Sequence, residues 1–263
     1  MIKDGHIHTS FCPHGTQDSL EGYVEKAIEL GFKEISFTEH APLPEGFKDP
    51  TPAKDSAMKM EDLGFYFEEI SRVKSIYKEK IKINTGLEVD FIEGFERETT
   101  NFLNQFGHQL DDSILSVHFL KYGSEYECLD YSPETFGTMI QKYGSINEVY
   151  SVYFKTLLQS IHCELGPCKP KRIGHITLVK KFQKKFPSER DFTPEILEVL
   201  SAIQKKGYEI DYNGAGYSKP LCKEPYPPNW VVKEAMHRDI NLVYGSDAHQ
   251  IKELGQGKHT MLF

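Results

Sequence analysis

Two spacings of apolar residues alternate along this chain. Apolar positions three or four residues apart indicate amphipathic helices, and short apolar runs between them indicate buried strands. The helical spacing predicts helices over residues 20–28, 62–79, 93–104, 146–161 and 194–203, with one more after Pro227-Pro228. The short runs predict strands over residues 1–9, 34–38, 81–88, 113–117, 172–174, 208–213 and 241–244.

Seven strands separated by helices favour a parallel sheet with helical crossovers. We therefore predict an α/β fold, a distorted (β/α)7 barrel that resembles the TIM barrel. No stretch of the sequence has the composition of a domain linker, so residues 1–263 are predicted to form a single domain. Residues 41–61 and 120–145 are rich in Pro, Gly and polar residues and are predicted to be long loops, which often act as lids.

Polar pairs lie at the ends of the first and last predicted strands. Side chains at positions i and i+2 of a strand project from the same face, so His6 and His8 can bind one ion together. Asp247 and His249 repeat this spacing after the run that ends at Ser246. Matched ligands from the two ends of the chain imply a closed or strongly curved sheet.

Four of the other five predicted strands also end near a residue that can bind metal. The carboxyl ends of the strands in a parallel barrel face one site, so these residues should converge. His14, in the first loop, can reach the same mouth. The full candidate set comprises His6, His8, His14, His40, Glu88, His118, His175, Asp247 and His249. Nine ligands are too many for one ion and suit three; Asp4 and Glu39 are candidates to orient the ligand rings or are ordinary solvated charges.

Composition narrows the function classes. The chain has 263 residues, with 31 basic and 39 acidic side chains and a formal net charge of −8, which disfavours nucleic acid as a partner. No apolar run approaches the length of a membrane span, and the first residues lack a secretory signal, so we expect a cytoplasmic protein without a membrane partner. Five cysteines without a Cys-x-x-Cys pair argue against disulfides or a thiolate zinc site.

The ordered motifs resemble those of the polymerase and histidinol phosphatase (PHP) family over essentially the whole chain. The motifs that carry the resemblance are Asp4-Gly-His-Ile-His-Thr9, Thr38-Glu-His40, Gly86-Leu-Glu88, Ser116-Val-His118, Gly174-His175 and Gly245-Ser-Asp-Ala-His249. The resemblance is greatest to the monofunctional bacterial histidinol-phosphate phosphatases. It implies a distorted barrel of seven β/α units, in agreement with the strands counted above.

The family pattern also implies how the ligands are shared. It assigns His6, His8, Glu88 and Asp247 to one metal, and Glu88 bridges to a second metal bound by His118 and His175. A third metal falls to His14, His40 and His249, although many members of the family have Asp where His14 stands. Three divalent transition metals are expected, and nitrogen-rich ligands suit zinc, iron or manganese.

The resemblance implies hydrolysis of L-histidinol phosphate to L-histidinol and inorganic phosphate. Glu88, Asp247 and His249 are the expected catalytic residues, and a hydroxide held between two metals is the expected nucleophile. Arg172 and Lys219 are candidate phosphate contacts or solvated cations. Tyr212, Asn213 and Tyr226 are guesses, from position alone, for residues that contact an imidazole or amine.

Two alternatives remain open at this stage. One is a PHP phosphoesterase of other specificity, acting on nucleotides or other small phosphoesters. The other is a non-catalytic metal-binding module, which the open coordination positions disfavour. The partner in the favoured reading is a small phosphate ester, and the sequence gives no oligomeric state.

Overall fold

A seven-stranded parallel sheet forms the frame of the protein. The computed structural model describes residues 2–262, so Met1 of the first predicted strand and the terminal Phe263 lie outside the described residues. The sheet strands are β1 (Lys3–Ile7), β2 (Glu34–His40), β3 (Lys82–Asp90), β4 (Asp112–Ser116), β7 (Arg172–Ile173), β8 (Glu209–Asn213) and β9 (Leu242–Gly245). All seven predicted strands are present.

The strand order is β1-β2-β3-β4-β7-β8-β9, which follows the chain. Backbone bonds across the two edge strands almost close this sheet into a barrel. Ile7 pairs with Ala248 in a parallel bridge, and the amide of Asp247 donates to the carbonyl of His6 at 2.7 Å. The predicted distorted (β/α)7 barrel is therefore confirmed.

Helices cross over between successive sheet strands. They are α1 (Leu20–Glu29), α2 (Leu63–Tyr77), α3 (Glu96–Phe106), α4 (Pro133–Tyr143), α5 (Ile146–His162), α6 (Thr193–Lys206), α7 (Ala215–Ser218) and α8 (Asn229–His237). The Ser19 side chain caps α1 by accepting from the amide of Gly22, and Gly31 follows that helix with a φ of 82°. Within residues 2–262, no helix has the length and apolar character needed to cross a bilayer.

The prediction of a long loop over residues 120–145 is wrong. This stretch contains most of an antiparallel hairpin, β5 (Phe119–Tyr122) with β6 (Glu125–Cys128), followed by α4. Gly123, with a φ of 59°, makes the turn, and the Ser132 side chain caps α4. The other predicted loop does run without a helix or strand from residue 41 to residue 59.

A buried polar cluster fills the amino-terminal end of the barrel. The Arg172 guanidinium donates to the carbonyl of Gly5 at 2.7 Å and lies 3.1 Å from the Asp112 carboxylate. Asp112 also contacts Lys3 at 3.0 Å and accepts from the Ser36 hydroxyl at 2.6 Å. Opposite charges are thus paired within this cluster, which we call the Arg172–Asp112 cluster.

Candidate metal centre

The opposite end of the barrel, formed by the carboxyl ends of the strands, gathers the predicted ligands. Strands β2 and β3 pair so that His40 lies opposite Glu88, which places these two side chains at the same level. His6 and His8 follow the same face of β1, and their Nε2 atoms lie 3.2 Å apart. Convergence of these side chains therefore follows from parallel pairing in register.

Three groups of possible ligand atoms form this end of the barrel. Within each group the atoms lie no more than 4.8 Å from one another. The groups consist of His6, His8 and Asp247; Glu88, His118 and His175; and His8, Cys12, His40 and His249.

Glu88 lies between the groups, with one carboxylate oxygen toward each side. Its Oε1 is 2.9 Å from His175 Nε2, whereas its Oε2 is 3.3 Å from His6 Nε2 and 3.2 Å from His40 Nδ1. Ser116 donates a hydrogen bond of 2.6 Å to Oε1 and fixes the carboxylate. This position suits a carboxylate that bridges two ions.

The third group differs from the predicted one. The family pattern implied His14 with His40 and His249, whereas the structure brings His8 and Cys12 together with those two residues. The ring of His14 is close by, with its centroid 5.2 Å from that of His40 and 5.0 Å from that of His249. His14 Nδ1 donates to the carbonyl of Asp55 at 2.7 Å, which leaves Nε2 for a ligand.

Carboxylates hold three of the ligand rings by their Nδ1 atoms. Asp211 accepts from His6 at 2.9 Å, Glu39 from His8 at 3.1 Å, and Asp90 from His118 at 2.8 Å. Such contacts fix the tautomer and orientation of a ligand ring. Asp90 and Asp211 were missed from the sequence, although Asp90 lies two residues after Glu88 on the same face of β3.

Asp4 has a different role from the one considered for it. Its carboxylate accepts from the amides of His6, at 3.3 Å, and of Ser246, at 2.9 Å, and so joins the first strand to the end of the last. Burial raises the pKa of Asp4 to about 7, although these hydrogen bonds act in the opposite direction. Asp4 therefore holds backbone rather than a ligand ring.

The arrangement of ring nitrogens fits bound cations. Each ring that donates through Nδ1 to a carboxylate keeps a lone pair on Nε2 when it is neutral. His6 and His8 direct such atoms toward each other at 3.2 Å, and His118 directs its Nε2 toward Nε2 of His175 at the same distance, although His175 Nδ1 has no hydrogen-bond partner among the described residues. Two facing lone pairs repel unless a proton or cation lies between them, and carboxylates surround both pairs.

Charge in the site is coupled to proton binding. Burial lowers the pKa of His8, but Asp247 and Glu39 outweigh burial and raise it to about 9. Burial likewise lowers the pKa of His118, and Asp90 and Glu88 raise it to about 10. Burial would raise the pKa of Glu88, yet the neighbouring His6 and His118 hold it well below its usual range. The site therefore attracts positive charge.

The backbone at the end of the last strand has two features that shape this site. Asp247 has a φ of 52°, in the left-handed region that Asp tolerates better than most residues. Gly245 has no room for a side chain, because a Cβ there would collide with His6 and Asp211. Close approach of β9 to β1 thus requires glycine.

The three groups open into a cavity of about 380 Å³. Its wall includes Thr51, Asp55 and Ser56 from the long loop after β2, and Lys219 from the segment after α7. Lys181 also lines the cavity and was missed from the sequence; its Nζ donates to the Asp130 carboxylate at 2.9 Å. A volume of this size suits a small substrate.

The structure does not support Arg172 as a phosphate contact. Arg172 lies in the polar cluster at the other end of the barrel, is 2% exposed and is absent from the cavity wall. Arg172 begins β7, three residues before His175, and its side chain contacts Gly5 and Asp112 at the amino-terminal end of the barrel. The prediction of a phosphate contact at Arg172 is therefore wrong.

The three residues guessed from position have different surroundings. Tyr226 lines the cavity. Asn213 donates to both Asp211 and Asp247 at 3.1 Å, so it positions carboxylates of the site. The Tyr212 hydroxyl donates to Asn229 at 2.6 Å and is directed away from the cavity wall.

Comparison with known proteins places the chain in a family. The PHP domain matches residues 4–215. Histidinol-phosphatase of Bacillus subtilis is 49% identical over 99% of this chain and 98% of its own length. A histidinol phosphatase structure from Listeria monocytogenes has a TM-score of 0.93 at 40% identity, covering 98% of this chain and 99% of that one.

A second structure has the same fold at lower identity. Histidinol phosphate phosphatase from Lactococcus lactis, in complex with zinc, L-histidinol and phosphate, has a TM-score of 0.69 at 21% identity. The match covers 95% of this chain and 86% of that one. With the PHP domain matched over most of its length and a relative nearly half identical throughout, the chain belongs to the PHP domain family.

Proposed function

We propose that the protein hydrolyses L-histidinol phosphate to L-histidinol and inorganic phosphate as a metal-dependent phosphomonoesterase. The observation that carries this proposal is the set of three ligand groups that share one substrate-sized cavity. The identity of the substrate comes from the full-length similarity to the B. subtilis histidinol-phosphatase. A cytoplasmic location remains a prediction from the sequence.

The proposed centre contains three divalent ions, with zinc preferred over iron or manganese. His6, His8, Glu88 and Asp247 would hold the first, and Glu88, His118 and His175 the second. His40 and His249 would hold the third, with His14 beside them. Zinc suits imidazole-rich sites, and it is the metal in the L. lactis structure.

Bound cations would supply two things to this reaction: a lower pKa for coordinated water and neutralisation of the phosphoryl oxygens. The contribution of the protein is orientation and charge. Asp211, Glu39 and Asp90 hold the ligand rings, and Ser116 holds Glu88. Because these supports are buried, the site is already arranged before a substrate enters.

Two lysines are proposed to bind the phosphate. Lys181 and Lys219 both line the cavity, and Asp130 fixes the Lys181 ammonium through its carboxylate and its carbonyl, at 2.9 and 2.7 Å. Burial opposes ionisation of Asp130, but Lys181 and His118 outweigh it and lower its pKa. A charged pair of this kind keeps one cation in place for an anionic ester.

The test is release of phosphate by zinc-loaded protein from L-histidinol phosphate, a nucleoside monophosphate and an aryl phosphate. We expect the highest kcat/KM for L-histidinol phosphate and loss of activity after chelation, recovered on adding zinc. Higher kcat/KM for the nucleotide or aryl ester would support a PHP phosphoesterase of other specificity. Absence of turnover with all three esters, with zinc confirmed, would support a non-catalytic metal-binding module.

Replacement of Lys181 tests the proposed phosphate contact. We expect Lys181→Met to raise KM for L-histidinol phosphate about tenfold, the size of one charge-assisted contact. Lys185→Met is a matched control, because Lys185 is exposed and pairs with Glu134 away from the cavity wall. Equal effects of the two substitutions on KM would contradict the assignment.

A further inference from the structure

Cys12 lies inside the third ligand group, although the spacing of the cysteines argued against a thiolate zinc site. The side chain is buried, and its Sγ lies within 4.8 Å of ligand atoms of His40 and His249. Two backbone hydrogen bonds of 3.1 Å, from Cys12 to Thr9 and from Gly15 to Cys12, hold the turn that presents the sulfur. The sulfur therefore has a fixed place in the site.

His8 is committed elsewhere, although it is within reach of this group. Its Nδ1 donates to Glu39, and its Nε2 lies 3.2 Å from both Asp247 and His6. A ring with one free nitrogen contributes one ligand atom. With His8 serving the first ion, the third group retains Cys12, His40 and His249 as its close members.

His40 and His249 each have a ring nitrogen that can bind the third ion. His249 Nδ1 donates to the Asp247 carbonyl at 3.1 Å, which leaves the Nε2 lone pair free. His40 is buried, and its Nδ1 lies 3.2 Å from Glu88 Oε2 without the geometry of a hydrogen bond to any described residue. An unsatisfied buried nitrogen is costly, and a metal ion is the kind of partner that satisfies it.

Cys12 can act as a metal ligand only after its thiol loses a proton. Burial, together with the Glu39 carboxylate, raises the pKa of the free Cys12 thiol, so the thiol keeps its proton until an ion binds. A coordinated divalent ion deprotonates a thiol outright.

We propose that the Cys12 thiolate is a ligand of the third metal ion, together with His40 and His249. This inference rests on the metal-dependent function proposed above. On binding, the thiol proton passes to solvent and one metal–sulfur bond forms, with no change of oxidation state. A soft thiolate makes this position selective for zinc over manganese.

X-ray absorption at the zinc edge tests the inference on the unaltered protein. We expect, in protein saturated with zinc, a sulfur neighbour at about 2.3 Å beside nitrogen and oxygen neighbours at about 2.0–2.2 Å. A spectrum with nitrogen and oxygen alone overturns the proposal. Saturation at fewer than three zinc ions per chain also overturns it, because the third group would then hold no ion.

Cobalt substitution identifies which cysteine is responsible. We expect cobalt-loaded protein to show a thiolate-to-cobalt charge-transfer band in the near ultraviolet, lost in Cys12→Ser and kept in Cys128→Ser. Cys128 is a matched control, because it is buried and lines the same cavity but donates to Asp130 outside the ligand groups. A band that survives in Cys12→Ser contradicts the proposal.

Affinity and turnover separate this inference from the proposed function. Cys12→Ser should bind the third zinc at least about tenfold more weakly, because even residues that only support a ligand contribute that much. Turnover of L-histidinol phosphate without a zinc–sulfur signal would leave the phosphatase standing and remove Cys12 from the centre. A zinc–sulfur signal without turnover would keep Cys12 in the centre and contradict the proposed phosphatase activity.

Discussion

The barrel holds a buried polar cluster at each end, and the two differ in how their charges are paired. In the Arg172–Asp112 cluster, each cation meets a carboxylate: Arg172 and Lys3 contact Asp112, and Lys3 also contacts Glu34 at 3.1 Å. At the other end, carboxylates surround rings whose nitrogens face one another. Pairing of each cation with a carboxylate indicates a structural role, whereas ring nitrogens that face one another among carboxylates indicate bound cations.

The largest expected effect is at Glu88, which separates the two clusters most sharply. Glu88→Gln removes the charge between two ligand groups, so we expect the loss of two metal ions at once and a fall in kcat on the order of 10³-fold. Elemental analysis and phosphate release measure the two effects. Loss of a single ion would contradict the bridging position of Glu88.

Substitution in the Arg172–Asp112 cluster should lower the stability of the protein and leave its metal content unchanged. Arg172→Met leaves Asp112 short of a buried partner, so we expect unfolding free energy to fall by about 3 kcal/mol with metal content unchanged. Denaturant unfolding of the zinc-loaded protein measures this. Lys82→Met is the matched control, because its contact with Glu34 is exposed and should contribute under about 1 kcal/mol.

Competition between protons and metal ions should distinguish the ligand-bearing end of the barrel from the Arg172–Asp112 cluster. In the ion-free protein, the raised pKa values of His8, about 9, and His118, about 10, mean that metal must displace their protons. Zinc affinity should therefore rise about tenfold per pH unit for each displaced proton between pH about 6 and 8. Calorimetry in buffers of different ionisation enthalpy counts the protons, and zero release would refute this account.

The same pKa values set the stability of the ion-free protein. A raised folded-state pKa stabilises the fold most below the unfolded value of 6.5, and this contribution is lost as pH rises through about 9 to 10. We expect the melting temperature of chelated protein to fall over that range. Zinc-loaded protein should not show this fall, since its ligands are already deprotonated.

The smallest expected effect is at Asp211, which orients His6. Asp211→Asn keeps the size of the side chain but removes its charge, so we expect a ten- to hundredfold loss of zinc affinity at the first site. A zinc-competition titration measures this. Asp191→Asn, at an exposed turn, should leave affinity unchanged, and equal affinities for both variants would refute the support role.

Much of the centre could be predicted because its signals are local. His6 and His8 alternate along one strand, and each further ligand follows an apolar run, so parallel pairing alone brings them together. Asp90 carried the same signal, two residues after Glu88, but an isolated aspartate after a strand has many ordinary explanations. The predicted fold followed from the same local alternation of strands and helices.

Some features of the structure could not be predicted from the sequence because they depend on contacts that form when the barrel closes. Whether Arg172 faces the cavity or the far end is decided by where Asp112 and Gly5 lie across the sheet. The sequence over the β5–β6 hairpin is typical of a loop because its strands are only four residues long and are interrupted by Lys121, Glu125 and Glu127, although Gly123-Ser124 is a short hairpin-turn signal. Cys12 was missed because the absence of a Cys-x-x-Cys pair argued against a thiolate site, whereas its neighbours here are histidines, two of them, His40 and His249, far along the chain.

Anomalous X-ray scattering at the zinc edge, from crystals grown with saturating zinc, tests the central claim most directly. The account predicts three peaks at the carboxyl ends of the strands, with Glu88 between the first two and His40 and His249 at the third. No peak should lie near the Arg172–Asp112 cluster. Absence of zinc from the strand ends, with the paired nitrogens of His6 and His8 still 3.2 Å apart, would contradict it.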